Sequence, residues 1–340
     1  MVSDTRNADD VKESMTSRGQ LVLTAAIGIG VIIIGLVIVI NTVLVSENIS
    51  TSESLTDSDE VRTFSTSAQR NTRSLILRLN HWQRNQTAPE IGRGINRNIS
   101  NYSLALGESY AENGIAIVNL SYNNDSSSWG TRVIQSNDSW MTDTGNNSDW
   151  SIFESTSTSN VRRFVVNLNV SNTRTDEFNV TFVNKTDEYV NISMRRDGQS
   201  IAISSERSLG GNVSDVACDP SGNRVLVDLM SGSSFTGECE FNGVLNRTNL
   251  SRTLQAPYTV TVSDGAHGFG QYSLVTNTTF DEFSGTYGPC DPDQADALGV
   301  SRTNPHEPCR SSIVWQANIT TTYQSSSVDY WQQQNVSVYP

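Results

Sequence analysis

Lysine is almost missing from this 340-residue chain: Lys12 and Lys185 stand alone, and arginine supplies the rest of 23 cations set against 36 carboxylates. A formal charge of −13 excludes phosphate-backbone binding as a main activity, because that binding works by Lys and Arg neutralising phosphates and releasing counterions. Nucleic acid is therefore not an expected partner. Histidine is confined to His81, His267 and His306, and there is no H-E-x-x-H, G-x-S-x-G or G-x-x-x-x-G-K-[ST] stretch. Metalloprotease, hydrolase-elbow and P-loop chemistry each lose the residues they need. The four cysteines lie too far apart for a C-x-x-C knuckle, which disfavours a structural zinc site. No catalytic residue, metal or cofactor is expected, so the chain reads as non-enzymatic.

Apolar residues are also scarce, at 36%, which is low for a globular protein of this length. Much of that content sits in one run, Leu21 to Val45, about 25 residues without a charge. Crossing ~30 Å of hydrocarbon takes ~20 such residues at 1.5 Å each, so residues 21–45 are expected to span a lipid bilayer. A cleaved secretory signal would have an apolar core of only about 7–15 residues followed by a small-x-small site, and this run has neither property. Arg6, Lys12 and Arg18 precede the run, whereas Glu47, Glu53, Asp57, Asp59 and Glu60 follow it before the next cation, Arg62. The positive-inside rule then keeps the N-terminus in the cytoplasm and puts the C-terminal bulk outside the cell.

Two features downstream agree with that orientation. About 18 Asn-x-Ser/Thr acceptors all lie after the apolar run, with Asn48, Asn98, Asn169, Asn179, Asn191, Asn277 and Asn318 as glycosylation candidates. Cys218, Cys239, Cys290 and Cys309 form an even set, also distal, which in an oxidising exterior reads as two bridges. Four cysteines allow three connectivities. Pairing neighbours would close two loops of about 20 residues, each worth ~3 kcal/mol in the chain-entropy model.

Directly before the apolar run stands Ser17-Arg18-Gly19-Gln20-Leu21-Val22-Leu23. A cation, a small residue and Gln set against a hydrophobic helix resemble the class III signal of archaeal type IV pilins and pilin-like proteins. That resemblance implies a prepilin peptidase cutting between Gly19 and Gln20 and leaving the helix on the mature chain. It also implies assembly with identical or sibling subunits. The stretch from Arg18 to Asn48 is similar to an uncharacterised group of haloarchaeal surface proteins with one anchor and a polar ectodomain. The Arg-over-Lys and acidic balance resembles that of proteins from salt-loving archaea. Thr24 stands where many pilins carry an acidic residue, a departure that bears on filament alignment. Arg18 also serves as an ordinary positive-inside flank.

Beyond the membrane run, Val61, Phe64, Ala68, Leu75, Leu79 and Trp82 recur at helical steps, with an interruption near Thr72. A second helix is expected around Tyr102, Leu106 and Tyr110. From Ile115 the period changes to two, and strands are expected at 115–122, 161–170, 178–183 and 189–195, the last turning at Asp197-Gly198 into 200–205. Further strands fall at 225–230, 258–262, 271–276, 312–321 and 335–338. The tract 123–158, with Trp129, Trp140 and Trp150, reads as a polar loop. The expected organisation is a 1–19 cytoplasmic leader, a 20–45 transmembrane helix, a 46–113 helical stalk and a 114–340 β-rich extracellular domain. The fold class is α+β, with a mainly antiparallel, sandwich-like ectodomain.

The expected role is a pilin-like cell-surface protein acting in assembly or adhesion. The alternative is a surface-anchored ligand-binding or sensor module. It would use the Trp tract or the acidic loop Asp291, Asp293 and Asp296, a loop that lacks the Gly and distal Glu of a calcium hand.

Overall fold

The computed structural model describes residues 56–82, 86–112, 116–154, 160–208, 214–245, 254–283, 287–290, 308–326 and 328–339. Residues 1–55 fall outside these, and with them the leader, the 21–45 run and Asn48. Among the described residues no helix is long and apolar enough to cross a membrane. The chain divides into two units, Met1–Arg62 and Thr63–Pro340, and the second carries the architecture below.

Among the described residues two α-helices, α1 (Thr56–Trp82) and α2 (Ala88–Glu112), precede thirteen strands. The first sheet is ordered β13-β12-β1-β11-β3-β8-β9, from Asp329–Ser337, Cys309–Gln324, Ile117–Trp140, Phe269–Thr276, Val161–Asn169, Arg224–Asp228 and Ser233–Ser234. The second is β2-β10-β4-β5-β6-β7, from Trp150–Phe153, Tyr258–Ser263, Phe178–Asn184, Tyr189–Asp197, Ser200–Arg207 and Ser214–Cys218. All ladders between these strands are antiparallel. This is the α+β, sandwich-like class that the alternating apolar pattern predicts.

The sandwich core follows from period two. Phe164, Val166 and Leu168 of β3 alternate inward and meet Val180, Phe182, Ile192, Ile203 and Val260 of the other sheet. The Phe164 and Phe182 rings touch edge-on at 6.1 Å across the interface. Asp197 pairs with Ser200 around a two-residue turn in which Gly198 has φ 61°, the left-handed region that glycine enters without a Cβ penalty.

The polar tract expected to be a loop is mostly strand. β1 runs on to Trp140 and β2 begins at Trp150. β1 lies between β12 and β11, so its backbone is paired on both sides over 131–134. Its buried polar side chains are satisfied: Thr131 Oγ1 donates to Thr278 O at 2.8 Å, and Gln135 Nε2 to Gly270 O at 2.9 Å. Register shifts after Asn123, Ser128 and Gln135 break the alternation, which erases the sequence signature of a strand.

The described helices of the 46–113 segment pack on the first sheet. Ala68 and Ile76 of α1, with Ile91, Ile95 and Ile99 of α2, pack on Leu120, Ile313 and Ile319 of the first sheet. The α1 stripe runs Phe64, Ala68, Thr72, Ile76 and Asn80, all buried, while Trp82 is 70% exposed. Polar Thr72 and Asn80 thus sit on the core face, and the helix does not break at Thr72. Asn80 acts as a short piece of strand. Its Nδ2 donates to Val314 O at 2.9 Å, and its Oδ1 accepts from Val314 N at 3.0 Å.

Candidate functional site

Where the helices leave the outer face of the first sheet, a cleft of about 580 Å³ opens, within the size range of small-molecule sites. Register builds its floor. Arg132 of β1 and Arg163 of β3 both pair with Val275 of β11, forming one row across three strands. The two arginines therefore share a face about 10 Å apart at the backbone, twice the strand spacing. The next outward rows hold Ile134, Ser273 and Val165, then Gln271, Asn167 and Leu226. The last turn of α1 contributes Leu77, His81 and Trp82, and the C-terminal stretch contributes Tyr339.

The electrostatics of this cleft run against those of the whole chain. Its described lining includes two arginines and a histidine but no carboxylate, in a protein of net charge −13. Arg132 is buried, and its Nε donates to Ser273 Oγ at 2.7 Å, which fixes the guanidinium in place. Arg163 Nε lies 4.0 Å from Asp228 Oδ2. Burial raises the Asp228 carboxyl above its usual range, and an N–H from Met230 and the Arg163 charge only partly offset that. Burial likewise raises the Tyr339 hydroxyl, against the pull of Arg132, the Asn80 amide and Arg163. Arg78 stacks over the exposed Trp82 ring at 4.6 Å. Asn167 Oδ1 is buried without a hydrogen-bond partner among the described residues.

None of the residues singled out from sequence as a site forms this cleft. The cysteines pair as neighbours, Cys218 with Cys239 and Cys290 with Cys309, at Cα separations of 5.2 and 4.9 Å. The three tryptophans of the polar tract do not share one surface. Trp129 packs with the helix-side core, Trp140 meets Phe269 at 5.0 Å, and Trp150 joins the sandwich core with its Nε1 donating to Met141 O at 2.9 Å. Asn98, Asn169, Asn179, Asn191 and Asn277 are partly exposed. Asn318 is buried and donates its Nδ2 to Asn335 Oδ1 at 2.7 Å. Arg18, Gly19 and Gln20, and the carboxylates of residues 291–296, lie outside the described residues. Among those described, no group of three or more His, Cys, Asp or Glu gathers to hold a metal.

No spacing in the sequence links Arg132, Arg163 and Trp82, since strand register joins the two arginines and the packing of α1 brings in Trp82. No protein-family model matches the chain, and no curated protein is significantly similar to it.

Proposed function

We propose that this is a non-enzymatic, membrane-anchored cell-surface protein of the haloarchaeal pilin-like kind, acting in surface assembly or adhesion. The observation that carries the reading is the pair of neighbour disulfides, which engage all four cysteines of the chain. Such bridges belong to oxidising compartments, and all four cysteines lie on the C-terminal side of the charge-free 21–45 run. An exterior β domain on a single span accounts for both facts. In this reading residues 21–45 hold the bilayer, and a prepilin peptidase acts at Gly19. The helix starting at Gln20 then enters an assembly with identical or sibling subunits. Removing the leader also removes Arg6, Lys12 and Arg18, the cations that hold the helix in its inside-positive orientation.

Mass spectrometry of the mature N-terminus tests this. The expected outcome is a chain beginning at Gln20, with Arg18→Glu or a bulky residue at Gly19 leaving full-length protein in the membrane. Wild-type protein that keeps residues 1–19, in cells that process their pilins, overturns the pilin-like part. The cleft favours a second reading, a surface-anchored ligand-binding module, which needs the anchor but not the leader cut.

A further inference from the structure

We propose that β13, the edge strand of the seven-stranded sheet, docks a second copy of this chain by pairing antiparallel with its own counterpart across a two-fold axis at Gln333. The inference rests on the assembly reading in taking an identical subunit as partner, and it does not depend on cleavage of the leader.

Backbone hydrogen bonding shows which groups of this edge are open. Ser325 N donates to Val328 O at 2.8 Å at one end of the β12–β13 ladder, and Val338 N donates to Trp315 O at 3.0 Å at the other. The register between them is unbroken, from Gln324 opposite Asp329 to Gln316 opposite Ser337. In an antiparallel ladder successive residues turn their backbone groups alternately toward one neighbour and away from it, so the even-numbered residues of β13 bond β12. Asp329, Trp331, Gln333, Asn335 and Ser337 therefore turn N–H and C=O outward. Each of them is exposed, and among the described residues none bonds these outward groups. Sheet edges are ordinarily guarded by lysine, proline, a bulge or shortness. β13 has nine residues with none of these guards. The other outer strands are shorter: β9 has two residues, β2 four, and β7 five ending at the bridged Cys218.

Self-complementarity selects a second copy as the occupant. Residues directly opposite in a sheet share a face, so β13 meets its own copy with odd numbers against odd, and full overlap of the strand centres on Gln333. Each outward residue then donates one N–H and accepts one, Gln333 with its own counterpart and Trp331 with Asn335 of the partner subunit. Two copies of a chain with net charge −13 repel each other. The only charge on β13 is Asp329, and this register sets it against the partner's Ser337 rather than against its own copy, which avoids the like-charge pair that weakens a ladder. Trp331, 64% exposed, gains cover from the added strand. On the opposite face Gln334 Nε2 is buried with no hydrogen-bond partner among the described residues, and the register brings the partner's Gln332 amide opposite it.

The test uses the full chain in detergent at up to ~100 µM, well above the micromolar Kd expected of a small interface. Salt is kept at the lowest level where circular dichroism shows the fold intact. Sedimentation reads the mass, and amide exchange followed by mass spectrometry reads β13. A monomer–dimer equilibrium is expected, with exchange over 329–337 slowing as concentration rises. Gln333→Pro removes an outward N–H while leaving the bonds to β12, the placement that edge strands tolerate, and should weaken the dimer by roughly tenfold or more. Gln333→Lys, at an exposed position, sets two like charges on the axis and should weaken it severalfold. Mixing Gln333→Lys with Gln333→Glu should restore it, because only the mixed pair attracts. If Gln333→Pro fails to fold, the two charge variants still decide the matter. A monomeric wild type overturns the proposal. So does a dimer whose β13 exchange ignores concentration, or one that the charge variants leave unchanged. A chain that keeps residues 1–19 yet pairs through β13 leaves this inference standing and removes only the pilin-like reading. One that begins at Gln20 but stays monomeric does the reverse.

Discussion

The seven-stranded sheet is covered on its two faces by different chemistry. Against the second sheet it buries Phe, Val, Ile and Leu side chains that interdigitate. Against the helices it buries Ile and Ala interspersed with Thr72, Asn80, Ser103 and Thr321. The first interface needs only period-two apolar residues, since both sheets satisfy their own backbones. The second must also serve strand edges that the sheet leaves unpaired. Asn80 clamps the backbone of Val314, and Ser103 Oγ accepts from Leu120 N at 2.8 Å. A helix that covers a sheet edge must supply polar groups at defined points, whereas one that covers only a sheet face need not.

The comparison is sharpest where one residue is removed from each interface. Phe182→Ala empties a fully buried site between the sheets and should cost about 3–5 kcal/mol, the range for aromatic-to-alanine changes in cores. Asn80→Leu keeps the volume but strands the Val314 N–H and C=O, and should cost about 2–6 kcal/mol, from ~1–3 for each buried group left unpaired. Denaturant unfolding of both variants measures the ranking. If Asn80→Leu costs nothing, the polar clamp does not hold α1 on the sheet and the contrast between the two faces fails.

That contrast also governs how much of the fold was legible. Strands such as β3, β4 and β5 were readable because one face packs in the sandwich and the other meets solvent or helix, leaving a clean alternation. β1 was legible only as far as Tyr122. Beyond that it is shifted in register at three points, and over 130–135, where both faces are buried, it carries Thr131, Arg132 and Gln135 where a sequence reader looks for Val or Ile. α1 was legible as a helix with Val61, Phe64 and Ala68 on its buried face, but past Thr72 the fully buried stripe runs through Ile76 and Asn80 rather than Leu75 and Leu79, a course hidden because Thr72 and Asn80 look like interruptions. The start of α2 had an unread signature, Thr87-x-x-Glu90. Glu90 Oε2 accepts from Thr87 N at 2.8 Å and from Thr87 Oγ1 at 2.9 Å, half of a capping box. The neighbour disulfides follow from short loops. The cleft had no linear signature, because its arginines are 31 residues apart and are joined only through Val275.

Thr72 offers a prediction of opposite sign within the polar interface. Unlike Asn80, its buried Oγ1 has no hydrogen-bond partner among the described residues. Thr72→Val removes a desolvated hydroxyl at nearly constant volume and should stabilise the protein by about 1 kcal/mol. Thermal melting of the variant checks this, and a fall in Tm would mean that the hydroxyl is satisfied in solution.

The smallest expected effects are those of pH, where two carboxyl groups on the outer side of the first sheet respond with opposite sign. Glu90, on the helical side, is held below its ordinary value by hydrogen bonds from the Thr87 backbone and then its hydroxyl. A lowered folded pKa means a contribution fully present above the unfolded glutamate value and lost as pH falls through the folded one. Asp228, at the end of β8, is raised by burial despite the N–H of Met230 and the Arg163 charge. Its sign is reversed: the folded state holds this proton more tightly, so its contribution is greatest below the unfolded aspartate value and declines as pH rises through the folded one. Glu90→Gln should therefore be less stable than wild type at pH 7 and converge with it in acid. Asp228→Asn keeps an acceptor for Met230 N, at 3.0 Å from Asp228 Oδ1 in the parent, and should gain on wild type as pH rises. Urea midpoints measured from about pH 3 to 7, the span that brackets both carboxyl groups, test the pair. Parallel pH profiles for the two variants would show that both carboxylates answer to one shared field and would overturn the opposite signs assigned to them.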